Sequence, residues 1–334
     1  MEVFKIRGGK TLSGSVKASG SKNAALPLFA ATLLSSEESI LENVPDLSDV
    51  RFMAEILREL GAEVEKLDRT TWKINPTSIV HAAPYELVRK MRASVCLLGP
   101  LVGRLRRAEI PMPGGCVIGN RPIDLHIRAM ERLGAKVELK GGVVHINGKD
   151  LRGNSIFMGG RHGSTVTGTA NAIMAAVLAP GRTTIDSAAC EPELSDLCAM
   201  LVSMGADISG VGSHMIVIEG VESLQGCRHR VIPDRIETAT YVLAAAITKG
   251  KVTIRDGRTD HLGAFLNVMS ECGVMVEPDG AENLSVEVSE FGLKSFEAIT
   301  LPYPGFPTDL QAQTCALACQ ADGLSIFTRL HYGL

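Results

Sequence analysis

A short motif that ends a helix at a glycine and then starts a strand recurs along this chain at intervals of about 70 residues. The four copies are Leu60-Gly61-Ala62-Glu63-Val64, Leu133-Gly134-Ala135-Lys136-Val137, Met204-Gly205-Ala206-Asp207-Ile208 and Cys272-Gly273-Val274-Met275-Val276. Each follows an apolar pattern of helical period, as over residues 53–60 and 197–204. Glycine just after a helix accepts the left-handed backbone that ends it. The repeat therefore predicts a series of α/β units.

A second and more apolar helix is predicted to open each unit. The predicted ranges are 23–34, 92–103, 168–179, 237–248 and 308–321. These segments are rich in alanine and apolar nearly all round, as a helix buried on several sides should be. Strand-like runs lie between the helices at 143–146, 183–185 and 251–254. The pattern favours helices packed inside a shell of sheets and repeated around pseudo-threefold axes.

Length and composition exclude several classes of protein. The 334 residues suffice for two domains, and a content of 45% hydrophobic and 21% charged residues is ordinary for a globular protein. A net charge of -3 and 4% aromatic residues leave few stacking surfaces for a single-stranded nucleic acid. The chain starts without the apolar segment of a secretory signal, and the longest apolar run, 24–34, is too short to span a bilayer. We therefore expect a cytoplasmic protein with no nucleic-acid partner and no membrane insertion.

Residues 111–122 form a predicted loop, rich in proline and glycine, that contains Cys116 five residues before Arg121. Such a loop is exposed, and exposed loops often carry chemistry. Two interpretations are open at this point, because the thiol is either reactive or an inert loop cysteine. The eight cysteines include no Cys-x-x-Cys pair, and none has histidine at the spacing of a zinc site. No metal site is therefore expected.

Six segments in a fixed order resemble the signatures of one enzyme family. They are Ser21-Lys22-Asn23-Ala24-Ala25-Leu26-Pro27, Met91-Arg92-Ala93-Ser94, Pro113-Gly114-Gly115-Cys116, Glu191-Pro192-Glu193, Asp234-Arg235-Ile236-Glu237-Thr238 and Tyr303-Pro304-Gly305-Phe306-Pro307-Thr308-Asp309-Leu310-Gln311-Ala312-Gln313. Here the chain resembles the UDP-N-acetylglucosamine 1-carboxyvinyltransferases, which transfer an enolpyruvyl group from phosphoenolpyruvate to the sugar nucleotide. The resemblance implies these two small molecules as partners, a role early in peptidoglycan synthesis, and no cofactor. The sequence leaves the oligomeric state open.

The resemblance also implies a fold, the two-domain inside-out α/β prism of the enolpyruvyl transferases, with three units in each domain. On that pattern residues 22–231 form a first domain of three units, whereas residues 1–21 and 232–334 form the second. The second domain would hold one complete unit, at about 232–300, and the opening of another. No glycine motif of the repeat follows the helix predicted to end near Asp322. We therefore expect the last unit to be missing and the chain to be truncated at its C-terminus.

Phosphoenolpyruvate carries a phosphate and a carboxylate, so its site needs several cationic donors. The resemblance assigns this role to Lys22, Arg92 and Arg121. Lys22 precedes a predicted helix, where its ammonium and the free N–H groups of the helix start face one anion. Without the matching segment around it, Lys22 would be interpreted as a solvated lysine at a turn.

Addition of an alcohol to the enol needs one proton delivered to the methylene carbon and one removed from the hydroxyl. The resemblance gives the first role to Cys116 and the second to Asp309, with Lys22 as the third catalytic residue. Asp309 lies at the start of a predicted helix, which stabilises the ionised carboxylate and makes it a weak base. Its alternative is a carboxylate that only caps the helix.

For the sugar nucleotide, the resemblance points to one segment around the uracil, one near the diphosphate, and Asn23 at the sugar. The uracil segment is Arg121, Pro122, Ile123, Asp124 and Leu125, and the diphosphate segment is Thr165, Val166 and Thr167. This chain reads Ser164-Thr165-Val166-Thr167-Gly168-Thr169 where the family usually has Ser-Val-Gly-Ala-Thr. His126 and Glu191 are expected to support these residues.

Two other functions remain as alternatives. One is the related 3-phosphoshikimate 1-carboxyvinyltransferase, although those enzymes lack the Pro-Gly-Gly-Cys loop seen at 113–116. The other is a sugar-nucleotide binder without catalytic activity, since only the first predicted domain is whole. Phosphate release from phosphoenolpyruvate in the presence of UDP-N-acetylglucosamine discriminates among the three.

Overall fold

A computed structural model of the chain describes residues 3–112, 114, 122–160, 163–280, 282–289 and 292–329. The described residues divide into two compact units, one of residues 20–232 and one of residues 3–19 with 233–329. Each unit has a hydrophobic core of its own. No helix within the described ranges is both long and apolar enough to cross a bilayer.

The unit of residues 20–232 contains both kinds of helix that the sequence predicts. Its α-helices are Lys22–Ala31, Ser48–Glu59, Tyr85–Val88, Leu98–Leu105, Asp124–Arg132, Val166–Ala176 and Pro192–Ser203, and its 3-10 helices are Thr32–Leu34 and Arg92–Leu97. The segments Ala24–Ala31 and Gly168–Ala176 are buried on all sides. Their Ala-rich sequences are explained by this burial, because small side chains let neighbouring helices approach closely.

One predicted helix has to be corrected. Residues 92–103 do not form a single α-helix, since a 3-10 segment, Arg92–Leu97, precedes the α-helix Leu98–Leu105. Pro100 explains the break: a proline lacks the N–H donor and its ring clashes with the carbonyl four residues earlier, here that of Cys96. An α-helix can begin just before Pro100 but cannot run through from residue 92.

Three sheets accompany these helices. Their strand orders are Arg228–Arg230, Ser39–Glu42, Trp72–Asn75, Glu63–Lys66 for the first, Arg107–Pro111, Val143–Asn147, Lys136–Lys140 for the second, and Asp207–Ser209, Met215–Glu219, Arg182–Asp186, Ser155–Phe157 for the third. Short strands Gly159–Gly160 and Gly163–Ser164 form a separate pair. Most neighbouring strands are antiparallel.

The parallel pairs close this unit into a ring. Strand Ser155–Phe157 runs parallel to Arg182–Asp186 of the next repeat, and Arg228–Arg230, at the end of the third repeat, runs parallel to Ser39–Glu42 of the first. A single parallel bridge from Ala82 to Glu109 takes the same position in the second sheet. Each repeat thus completes the sheet of the next one, as pseudo-threefold symmetry requires.

The glycine motifs adopt the predicted conformation. Gly61, Gly134, Gly205 and Gly273 have φ of 100°, 93°, 105° and 86°. In the first of them the N–H of Gly61 donates to the Arg58 carbonyl and that of Ala62 to the Leu57 carbonyl, both at 2.9 Å. This pair of bonds is the Schellman motif that ends a helix. The prediction that each motif closes a helix and starts a strand is confirmed.

The unit of residues 3–19 and 233–329 has α-helices Arg235–Ile247, Gly263–Cys272 and Gln311–Ala318, with 3-10 turns Thr259–His261 and Thr308–Leu310. Its four-stranded sheet has the order Ser13–Lys17, Lys251–Arg255, Asn283–Val288, Val274–Pro278. Strands Glu297–Thr300 and Ile326–Arg329 pair in parallel. The helix predicted over 308–321 is therefore shorter and opens with a 3-10 turn.

Candidate functional site

Lys22 is the first residue of helix Lys22–Ala31, and Ser21 is its N-cap, accepting a hydrogen bond from the Ala24 N–H at 3.3 Å. The Lys22 ammonium lies 3.0 Å from Oδ2 of Asp49, which belongs to the first turn of helix Ser48–Glu59. The two side chains are 40% and 36% exposed, and Asn23 beside them is also exposed. The cation therefore lies at the helix start with one carboxylate partner and remains accessible to an anion.

Arg92 begins the 3-10 segment Arg92–Leu97 and is partly buried. Its charge acts on two buried neighbours. Burial, assisted by repulsion from Arg92, lowers the pKa of His126 to about 3. Burial also raises the pKa of the Cys96 thiol to about 12, although Arg92 opposes that change. Arg92 thus places a fixed positive charge near the start of helix Asp124–Arg132, and Cys96 stays a neutral thiol.

The predicted uracil segment leads into helix Asp124–Arg132. Pro122 and Asp124 are exposed and Leu125 is partly exposed. Ile123, in contrast, is only 4% exposed and belongs to the hydrophobic core. Its side chain is used in packing, so Ile123 offers a ligand only its backbone groups.

The predicted diphosphate segment is the start of helix Val166–Ala176. Thr165 is its N-cap, and the Thr165 hydroxyl accepts a hydrogen bond from the Gly168 N–H at 3.3 Å. Val166 and Thr167, the first two helical residues, are partly exposed. The N–H groups of a first helical turn have no carbonyl partner within the helix, so this end of the helix can donate to an anion.

A buried polar group joins three of these segments. Nε2 of His126 lies 3.2 Å from the Thr167 hydroxyl oxygen, and Nδ1 lies 2.8 Å from the amide nitrogen of Asn171. The same amide nitrogen donates to the Val95 carbonyl at 2.9 Å. The starts of Arg92–Leu97, Asp124–Arg132 and Val166–Ala176 therefore converge around His126. The supporting role of His126 stays a prediction, and the contact through which it would act is the one with Thr167.

Sequence reasoning did not single out Asn171 or Asp49. The available signal for Asn171 was an amide in the middle of an otherwise apolar, Ala-rich helix, because a buried amide requires hydrogen-bond partners. Asp49 gave no comparable signal, since an acidic residue in the first turn of a helix is ordinary. Glu191, predicted as a support, lies at the N-cap position of helix Pro192–Ser203 and is partly exposed.

Asp309 lies in the other unit, within the turn Thr308–Leu310 that precedes helix Gln311–Ala318. It is exposed, and its carboxylate makes no hydrogen bond or ion pair with any residue in the described ranges. The alternative in which Asp309 caps the helix is therefore wrong. The Gln313 amide fixes the turn by donating to the Asp309 carbonyl at 2.9 Å and to the Thr240 hydroxyl at 3.1 Å.

The segment before Asp309 is held by aromatic contacts within the same unit. The Arg235 guanidinium lies over the Tyr303 ring at 5.5 Å, and Phe306 packs against Phe265 at 6.2 Å. Arg235 begins a helix whose N-cap, Asp234, accepts hydrogen bonds from the N–H groups of Ile236 and Glu237. The 234–238 motif thus anchors the turn that presents Asp309.

Two predicted residues, Cys116 and Arg121, lie outside the described residues. Gly114, which precedes them, is packed against the backbone of Arg89, where an added Cβ would lie 3.0 Å from the Arg89 carbonyl carbon. This close approach explains one glycine of the predicted loop.

Comparisons with known proteins agree with the sequence motifs. A model of the EPSP synthase (3-phosphoshikimate 1-carboxyvinyltransferase) family matches residues 6–329. The UDP-N-acetylglucosamine 1-carboxyvinyltransferase of Methylacidiphilum infernorum is 50% identical over 326 residues, which are 97% of this chain and 76% of that protein. The enzyme of the same name from Akkermansia muciniphila is 47% identical, over 98% of this chain and 77% of that protein. The chain belongs to the UDP-N-acetylglucosamine 1-carboxyvinyltransferase family.

Solved structures of enolpyruvyl transferases share the fold. The enolpyruvyl transferase NikO from Streptomyces tendae has a TM-score of 0.87 at 24% identity, over 98% of this chain and 78% of that one. EPSP synthase from Acinetobacter baumannii has a TM-score of 0.71 at 17% identity, over 96% of this chain and 74% of that one. The predicted family and fold class are therefore confirmed. The site residues stay predictions.

Proposed function

We propose that this enolpyruvyl transferase acts on UDP-N-acetylglucosamine, transferring the enolpyruvyl group of phosphoenolpyruvate to the 3-hydroxyl with release of phosphate. The proposal places the protein in the cytoplasm, at an early step of peptidoglycan synthesis. The observation that carries it is the 50% identity, over 97% of the chain, with a relative that bears the name of this activity. The proposal is supported by a partly exposed lysine at a helix start in one unit and by an exposed carboxylate before a helix in the other.

The phosphoenolpyruvate anion is assigned to Lys22, Arg92 and Arg121. Lys22 lies at a helix start, where free N–H groups also attract an anion, and Asp49, its ion-pair partner among the described residues, is 36% exposed. Arg92 begins a neighbouring helical segment and keeps its charge at any working pH. A dianionic phosphate and a carboxylate are not buried without such cations, because an unpaired buried charge is costly.

The chemistry is an addition followed by an elimination. The sugar 3-oxygen forms a bond to C2 of phosphoenolpyruvate while Asp309 takes the hydroxyl proton and Cys116 gives a proton to C3, which becomes a methyl group. C3 then loses a proton and C2 loses phosphate, which restores the double bond and leaves the enolpyruvyl ether. Asp309 suits the first proton transfer, since its carboxylate is exposed and engaged by no described residue.

The sugar nucleotide is assigned to Asn23 and the starts of helices Asp124–Arg132 and Val166–Ala176. Asp124 and the backbone of Ile123 are suited to the polar edge of uracil, and Leu125 offers an apolar contact. Thr165, Val166 and Thr167 present N–H and hydroxyl donors to the diphosphate. These assignments follow the family resemblance residue by residue.

Phosphate release tests the function and separates it from its alternatives. The full chain is incubated with phosphoenolpyruvate and either UDP-N-acetylglucosamine or 3-phosphoshikimate. Release that requires UDP-N-acetylglucosamine supports the proposal. Release that requires 3-phosphoshikimate would instead favour a 3-phosphoshikimate 1-carboxyvinyltransferase, and binding of the sugar nucleotide without any phosphate release would favour a non-catalytic binder.

Asp309→Asn tests the assigned base within the same assay. General acid–base catalysis contributes about 10²- to 10⁴-fold, so turnover should fall by that order while the thermal midpoint stays unchanged. Asp279→Asn is the matched control, because Asp279 is also an exposed carboxylate of the same unit. Equal turnover in the two variants would reject the role of Asp309.

A further inference from the structure

We propose that His126 is a positioning residue that fixes the direction of the Thr167 hydroxyl, so that this hydroxyl donates a hydrogen bond to the sugar-nucleotide diphosphate. Asn171 acts on Thr167 indirectly, because its hydrogen bond to His126 determines which ring nitrogen of His126 carries the proton. The inference rests on the proposed function, since it assumes that the diphosphate lies at the start of helix Val166–Ala176.

The orientation of the Asn171 amide is determined by its buried neighbours. The Gly99 N–H donates to Oδ1 at 2.6 Å, which identifies the oxygen side of the amide. The NH₂ group must then face the Val95 carbonyl at 2.9 Å and Nδ1 of His126 at 2.8 Å. Asn171 is fully buried, so both hydrogens are used for these two acceptors.

The amide therefore determines the tautomer of His126. An NH₂ group donates, so Nδ1 must accept and the single proton of the neutral ring lies on Nε2. The ring is 2% exposed, and burial together with the Arg92 charge keeps its pKa near 3, so the neutral form persists at ordinary pH. The reverse tautomer would set two N–H groups against each other across 2.8 Å.

The proton on Nε2 in turn orients Thr167. Nε2 lies 3.2 Å from the Thr167 oxygen and donates to it, which occupies one lone pair and leaves the hydroxyl hydrogen for another partner. A threonine in a helix commonly returns that hydrogen to the carbonyl four residues earlier, but Thr167 makes no such bond within the described residues. Thr167 is partly exposed at the helix start, so its hydrogen is available to a ligand oxygen.

This arrangement differs from the family pattern. The chain reads Ser164-Thr165-Val166-Thr167-Gly168-Thr169 where the family usually has Ser-Val-Gly-Ala-Thr. Thr167 therefore adds a hydroxyl, whose direction His126 controls, to the backbone N–H donors of this helix start. The three hydrogen-bonded side chains of Thr167, His126 and Asn171 supplement those backbone donors.

A double-mutant cycle on UDP-N-acetylglucosamine affinity, measured by calorimetry on the full chain, tests the inference. Thr167→Val removes the hydroxyl with little change in shape, and Kd should rise about tenfold, as for loss of a hydrogen bond to a charged group. Thr167→Ser keeps the hydroxyl and should stay within about threefold of the parent. His126→Leu should weaken binding about as much as Thr167→Val, yet by less than about twofold in the Thr167→Val background.

These measurements distinguish failure of the proposed function from failure of the positioning role of His126. A parent chain that fails to bind the sugar nucleotide overturns the proposed function. A parent that binds while Thr167→Val binds equally well, or a His126→Leu effect of the same size in both backgrounds, overturns the positioning role and leaves the function intact. A purely structural role of His126 predicts that second, additive result.

Nitrogen NMR of the histidine side chains gives a readout that does not depend on binding, and it remains decisive where His126→Leu fails to fold. The His126 signals are assigned by their loss in His126→Gln. We expect Nε2 to carry the proton and Nδ1 to have the chemical shift of an unprotonated nitrogen. A proton on Nδ1 would overturn the inference, because Nε2 would then accept from Thr167 and withdraw the hydroxyl from the ligand.

Discussion

Replacing Lys22 with alanine should reduce kcat/KM for phosphate release while leaving the free energy of unfolding almost unchanged. Loss of a catalytic electrostatic donor costs about 2 to 4 kcal/mol of transition-state stabilisation, which corresponds to about 30- to 900-fold in kcat/KM. The expected loss of kcat/KM and the small change in the free energy of unfolding both depend on where the Lys22 ammonium lies. It is at the start of helix Lys22–Ala31, 40% exposed and paired only with Asp49 among the contacts described for it.

The effect on stability is small because two contributions oppose each other. An exposed ion pair such as Lys22–Asp49 contributes about 0.2 to 1 kcal/mol. A cation in the first turn of a helix is unfavourable by about 0.3 to 1 kcal/mol, since it faces the positive end of the helix dipole. The alanine variant loses the ion pair with Asp49 but also loses the unfavourable interaction of the cation with the helix dipole. We therefore expect the Lys22 side chain to contribute little to the free energy of unfolding.

Asp49→Asn is the matched control, because it breaks the same ion pair and keeps the ammonium. This variant also removes an acidic residue from the first turn of helix Ser48–Glu59, so it should lose about 0.5 to 2 kcal/mol of stability. Its kcat/KM should nevertheless stay far closer to the parent than that of Lys22→Ala. Urea unfolding and phosphate release, measured on both variants, give the comparison. Equal kcat/KM losses in both, or a Lys22→Ala variant as active as the parent, would refute the assignment.

Three further predictions concern other parts of the molecule. Cys116→Asp should keep measurable turnover and Cys116→Ala should lose about 10²-fold or more, because only the aspartate can deliver a proton; an alanine variant as active as the parent would exclude that role. Gly205→Ala should lower the free energy of unfolding by about 1 to 2 kcal/mol, because alanine is strained at the positive φ of this position. Gly134→Ala should lower it by about 1 to 3 kcal/mol more than Gly205→Ala, since the new Cβ at position 134 would also lie 2.6 Å from the Asp150 carbonyl oxygen. Equal urea midpoints for the two variants would contradict this prediction. His126 has a folded pKa of about 3 against an ordinary value of 6.5, so unfolding takes up a proton between these two pH values. The free energy of unfolding should therefore fall by about 1.4 kcal/mol per pH unit from pH 6.5 down to about pH 3, and His126→Gln should remove this contribution from the slope measured by urea unfolding.

The repeat was predictable because its signal is local. The glycine that ends a helix and the bonds that satisfy its last carbonyls lie within six residues, as at 57–62, and the next strand begins directly afterwards at Glu63. Helices Lys22–Ala31 and Val166–Ala176 were predictable for a similar reason, since burial on nearly all sides requires an apolar, Ala-rich composition. The same composition predicted burial on several sides for Gln311–Ala318, but among its described residues only Thr314 and Leu317 are buried. Two predicted helices came out differently: Pro100 divides the segment 92–105, and the segment 308–321 opens with a 3-10 turn and ends its α-helix at Ala318.

The remaining features depend on residues that are distant in sequence. Strand Arg228–Arg230 completes the sheet of Ser39–Glu42 only because three repeats close into a ring, and no local pattern encodes that pairing. The Asn171 amide meets His126 across 45 residues, and Lys22 meets Asp49 across 27. Family resemblance identified Lys22, His126 and Thr167 as candidates, whereas their partners required the tertiary structure. That His126 reaches Thr167 could not be anticipated, because the two residues are 41 positions apart in the sequence.

The central claim is tested most directly by the identity of the product. The full chain is incubated with phosphoenolpyruvate and UDP-N-acetylglucosamine, and the sugar nucleotide is isolated and examined by mass spectrometry and proton NMR. We predict a new sugar nucleotide that carries an enolpyruvyl ether on the 3-oxygen, formed in equal amount to the phosphate released. Unchanged UDP-N-acetylglucosamine, whether or not phosphate appears, would contradict the account.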